Sequence, residues 1–118
     1  VTAAGLTVLK WIGYDIAFII ATWVLYLAVM TLAGNRDKLT GFARFIAYWI
    51  VLPIGLVCDA LLNLHFCLLA WWRPRDVLLT GTLKRIRADL PAESRRRIVA
   101  TFICGNLLNP FDPKGSHC

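Results

Sequence analysis

Charge is scarce in this chain. Only 17% of its 118 residues are Asp, Glu, Lys or Arg, against 58% hydrophobic, a more apolar balance than that of an ordinary soluble domain. Equipment for catalysis is missing too: there is no phosphate-cradling glycine loop, no nucleophile beside a base, no pair of carboxylates at usable spacing and no C-x-x-C. Neither enzymatic activity nor a cofactor is therefore expected. The chain has no internal repeat and no low-complexity stretch. It also lacks a basic leader followed by a short apolar run and an A-x-A site, so no secretory signal peptide is expected.

Two long apolar runs are present instead. From Ile16 to Gly34 no side chain is charged at neutral pH, and about 20 such residues let an α-helix cross ~30 Å of hydrocarbon. The second run, Phe45 to Trp72, is longer than one straight crossing needs, and Pro53 is its expected kink. Aromatics stand at the ends of the runs: Trp11 and Tyr14 before the first, Tyr48 and Trp49 early in the second, Trp71 and Trp72 at its exit. Nine of the thirteen Lys and Arg lie from Arg73 onward, while the connector region holds Arg36, Lys38 and Arg44. By the positive-inside rule this keeps the C-terminal part in the cytoplasm, and two crossings return the N-terminus there.

The remainder reads as two short helices and a stiff ending. Val77, Leu79, Leu83, Ile86 and Leu90 recur at three- and four-residue spacing, with a break expected near Gly81. The basic residues Arg73, Arg75, Lys84, Arg85 and Arg87 are then expected to contact anionic lipid headgroups. Headgroups also account for the net charge of +6 without a nucleic-acid partner. A further helix is expected to open with Asp89 as cap, Pro91 in its first turn and Glu93 near its positive end, running to Asn109 and Pro110. The fold class expected is an all-α membrane protein. Residues 1–72 form a transmembrane hairpin, and residues 73–118 form a basic amphipathic cytoplasmic tail closed by a Pro/Gly-rich clasp.

Three groups of residues carry candidate chemistry. Gly55, Asp59, Asn63 and Cys67 share one face of the second run. A carboxylate there costs roughly 2.5–3.5 kcal/mol in lipid, so the stripe is expected to face a pore or another helix, and both readings imply association into a homo-oligomer. Cys58 and His65 stand two turns apart, too far to bind one ion unaided, and the membrane cysteines are expected to be apolar packers without disulfides. At the end, Cys104, Asp112, His117 and Cys118 are residue types that zinc accepts, but their spacing matches no finger, so no metal is expected. Phe111 is expected to plug a docking clasp, with Asp112 paired to an arginine and Gly115 supplying its turn.

The stretches "RPRDVLLTGTLKRI" and "LLNPFDPKGSHC" resemble the downstream half of a family of small bacteriophage and prophage membrane proteins. Those chains carry a P-R-x-x-L-x-T-x-x-L-x-R stretch and close on a D-P-F-D-P-x-G-x-H-C type ending; here Asn109 replaces the first Asp. The resemblance implies a phage-derived protein of the bacterial inner membrane and carries over no catalytic residue. Two functions follow as expectations. The first is a self-associating, holin-like membrane protein. The alternative is an anchored module whose structured tail docks on another phage or host protein.

Overall fold

The computed structural model describes residues 1–118, and every regular element in it is helical. Helix α1 spans Ala3–Gly34. Thr2 caps it by accepting the Gly5 N–H at 3.0 Å, and the Asn35 side chain closes it by donating to the Thr31 carbonyl at 2.8 Å. The helix thus starts well before Ile16: Lys10 and Asp15 interrupt the apolar run but not the backbone ladder, since both residues tolerate helix. At ~1.5 Å per residue its 32 residues run about 48 Å. Helix α2, Gly41–Leu69, returns beside it, and both helices are long and apolar enough to cross a membrane. Gly55 makes the close approach, because a Cβ there would meet the Val29 side chain at 3.3 Å.

Pro53 acts upstream of itself. It has no N–H to donate, and its ring crowds the carbonyl four residues back. The backbone answers with widened π turns over Ala47–Val51, where the Leu52 N–H bonds the Ala47 carbonyl, five residues back.

At the end of α2 the chain reverses. Trp71 adopts the left-handed region, φ 52°, and the Trp72 N–H reaches back to the Cys67 carbonyl at 2.9 Å. This is a glycine-type helix stop made by an aromatic residue, a conformation that costs ~1–2 kcal/mol for a side chain with a Cβ. The segment after Trp72 then runs back along α2, and the Asn63 amide donates to the Asp76 carbonyl at 2.7 Å.

Helix α3, Leu79–Asp89, passes through Gly81 without a break. The glycine is required for space: a Cβ would lie 3.0 Å from the Asp76 Cβ. Val77 falls outside the helix and is exposed. Asp89 is the last residue of α3, not the cap of the next helix. Pro91 holds Leu90 extended, and helix α4, Arg95–Phe102, begins after Ser94. From there π turns over Ile103–Leu108 and a 3-10 turn over Asn109–Phe111 lead into the ending.

Leu83 and Ile86 of α3 and Ala100 and Cys104 from the α4 region are completely buried, and Tyr26, Leu62 and Phe66 of the hairpin pack against this core. Packing therefore crosses residue 72, so 73–118 is not a separate tail. Overall extents are 52 × 41 × 23 Å. The longest is close to the length of α1 alone, so the C-terminal unit widens the hairpin sideways and does not extend beyond its end.

Candidate functional site

The polar stripe of α2 turns inward. Asn63 is fully buried; its amide oxygen accepts a short hydrogen bond from the Thr82 hydroxyl while its amide nitrogen holds Asp76. Cys67 is buried one turn on, 3.8 Å from the same Asn63 oxygen. Gly55 lies against α1, and Asp59 lines the space between the hairpin and the start of α3. Leu78 has no side chain able to cap α3. The stripe is the seat on which α3 begins, so Asn63 and Cys67 face neither a pore nor a second copy. One amide satisfies groups from two separate segments, which is why a polar residue is tolerated in so apolar a helix.

The expected headgroup residues divide. Arg73, Arg75 and Lys84 are exposed. Arg85 instead grips Asp76 through two hydrogen bonds, 2.8 and 3.1 Å, which hold the Asp76 carboxyl below its ordinary range and push the guanidinium up. Arg87 donates to the Cys118 backbone oxygen at 2.6 Å.

The ending forms a clasp, differently wired from the expectation. Asn109 Oδ1 accepts the backbone N–H groups of both His117 and Cys118, at 2.7 and 2.9 Å. Asp112 pairs with His117 Nδ1 at 2.9 Å and with no arginine; the Lys114 N–H first, then His117, keeps its carboxyl below the usual range. Gly115 takes φ 72°, closing the turn. Phe111 sits edge-on to Trp23, ring centroids 5.8 Å apart, and is still half exposed. A disulfide joins Cys104 to Cys118. That bond removes both sulfurs from the candidate metal set, and with His117 Nδ1 taken by Asp112 the four residues do not assemble a metal site. The sequence argues against disulfides only for Cys58 and Cys67, which are free, whereas the bonded pair lies outside the spanning helices.

Several connections were not foreseen. The Trp23 indole donates to the Leu107 carbonyl at 2.9 Å, and the Tyr26 hydroxyl donates to the Leu108 carbonyl at 2.6 Å. These are the last two carbonyls of the π-turn segment, where a helix end leaves acceptors without intrahelical partners. Aromatic residues with polar handles in the middle of an apolar run were the available signal, since a buried indole or phenol needs a partner. His65, by contrast, has the carboxylate partner expected of a histidine in an apolar helix: its Nε2 stands 2.9 Å from Asp15 Oδ2 of α1, close in distance but outside hydrogen-bond angles.

Between α1, α2, α3 and the clasp lies a half-open cavity of about 540 Å³. Its lining is mostly apolar, with Thr22, Asp59, Lys84 and His117 among the exceptions. No family model, curated protein or solved structure matches the chain.

The stripe's role as a seat has a direct consequence. Asn63→Ala leaves the Thr82 hydroxyl and the Asp76 carbonyl unpaired in the interior, a loss of ~1–3 kcal/mol for each buried group. The segment after Trp72 then lifts, and trypsin cuts after Arg75 faster than in the native chain. Equal cleavage rates would mean that the segment is held by something other than Asn63.

Proposed function

We propose that the chain is a small, non-enzymatic membrane protein that acts by self-assembly, its copies enclosing a wet space toward which their C-terminal units face. What supports this is the place of the charge. Exposed Arg73, Arg75, Lys84, Asp89, Glu93, Arg95 and Arg96 belong to a unit lying beside the apolar helices. The opposite surfaces of the hairpin are large and apolar: Ile16, Ile20 and Val24 on α1, Trp49, Val57 and Leu61 on α2. A single copy surrounded by lipid would leave charged groups in hydrocarbon, at roughly 2.5–3.5 kcal/mol each near its centre. Several copies with their charged flanks together remove that cost and leave the apolar faces to lipid. Only 11 of 118 residues are buried within one chain, so a large apolar surface is left for lipid.

This assembly is holin-like in scale, and the phage origin implied by the terminal motifs belongs to the same proposal, as does the bacterial inner membrane. Its pore-facing groups differ from the first expectation: exposed basic residues of the C-terminal unit take the place of the α2 stripe. Anionic headgroups compete for Arg73 and Arg75 near the exit of α2. The anchored module docking on a phage or host protein is the second reading, supported by the ordered clasp.

Orientation follows the disulfide in this reading. Disulfides persist in oxidising compartments, whereas basic residues bias insertion without compelling it. The wet space that holds the Cys104–Cys118 bond is therefore assigned an opening to the oxidising side, opposite to the basic count.

Reconstituted into vesicles of mixed neutral and anionic lipid, the chain should cross-link into oligomers and release an encapsulated dye. Monomers in tight vesicles would refute self-assembly around water. Orientation is read separately, in a Cys58→Ala, Cys67→Ala background. Alkylation of denatured, unreduced protein should modify no cysteine, and reduction should expose two. Two adducts before reduction would return that opening to the cytoplasm.

A further inference from the structure

Three threonines lie on α1, and two follow the ordinary pattern. Thr7 and Thr31 donate to the carbonyls four residues back, at 3.0 and 2.9 Å. Thr22, 6% exposed, makes no hydrogen bond, although it is the most buried of the three and the one that lines the 540 Å³ cavity. A buried hydroxyl without a partner is uncommon, and this one borders a space large enough for a small molecule.

The walls restrict what fits. Ile19, Leu56, Leu62, Phe66 and Leu107 offer an apolar lining for an alkyl body. Near the polar end stand Asp59 and His117, the latter with Nδ1 already committed to Asp112, leaving Nε2 free to bond. Groups of both signs surround this space: Asp59 and the Asp112 paired to His117 on one hand, Lys84 on the other, with His65 in the same lining. A charged head of either sign would meet a like charge there, whereas a hydroxyl can pair with Thr22 as donor or acceptor.

We infer that this cavity is a binding site for a single-chain neutral amphiphile, its alkyl body between α1 and α2 and its hydroxyl head hydrogen-bonded to Thr22 and His117. Such a ligand partitions into the bilayer and reaches the half-open cavity from there. The inference rests on the cavity and the free hydroxyl and stands whether or not copies assemble.

Binding is measured by native mass spectrometry of the full chain in a sterol-based detergent, whose rigid rings do not mimic an alkyl chain. The probes are 1-dodecanol, dodecane, dodecanoate and dodecylammonium. One dodecanol should bind per chain, at least tenfold more tightly than the other three. Thr22→Val, close in volume, should weaken dodecanol about tenfold and leave dodecane unchanged, while Thr22→Ser should retain dodecanol. Leu62→Trp should fill the space and abolish both, with circular dichroism confirming that it folds. Equal binding of dodecane and dodecanol, tighter binding of either charged probe, or indifference to Thr22→Val would each overturn the assignment.

Discussion

The Asn63 amide is the contact on which the arrangement turns. It sits in the middle of an apolar helix and spends both of its polar atoms on the returning chain, the nitrogen on Asp76 and the oxygen on Thr82. Together with Asp59, whose carboxylate takes the Leu79 backbone N–H at the first residue of α3, it ties the segment after Trp72 and the start of α3 to α2. So tied, α3 is seated on the flank of the hairpin. Leu83 and Ile86 then present a surface to α4, and the π turns after α4 deliver Leu107 and Leu108 to Trp23 and Tyr26. The clasp finishes the circuit by packing Phe111 on Trp23 and His117 on Tyr26. Each step depends on the one before, because the carbonyls that the aromatics capture are offered only if α4 lies where α3 places it.

This geometry makes an amphipathic object out of a mostly apolar chain. The amphipathicity belongs to the molecule and not to the spanning helices: α1 and α2 are apolar on most sides, and charge enters as a separate unit laid along one flank. A protein of this kind has one side suited to lipid and one suited to water or polar protein. That asymmetry, more than any single residue, is the ground on which the proposed self-assembly rests.

Much of the fold was legible from the residues. Absence of charge over Ile16 to Gly34 and the Trp71-Trp72 pair located the long helices, and Pro53 marked the irregular turn of α2 within a few residues. The polar stripe was recognisable from its four-residue spacing. Its destination was not, because spacing tells which side chains share a face and not what that face meets. The return of the chain was hidden for a similar reason. It depends on Trp71 in a left-handed conformation that nothing local announces, where a glycine would have signalled it. Asn109 looked like a helix stop and serves as the double acceptor of the clasp. The Cys104 to Cys118 bond joins residues far apart on the chain, and only the packing of α4 against the ending brings them together.

The central claim is that the C-terminal unit lies along the hairpin and not beyond it. Gly34, at the far end of α1 from the chain's start, faces Pro113 of the clasp, with a Cβ at Gly34 expected 3.3 Å from the proline ring. The direct test is oxidative cross-linking of a Gly34→Cys, Pro113→Cys variant carrying Cys58→Ala and Cys67→Ala, in native membranes, followed by mass mapping of the bridged peptide. With the ending folded back along α1, the 34–113 bridge should form rapidly within one chain. Its absence under conditions that preserve the Cys104–Cys118 bond would contradict the folded-back arrangement.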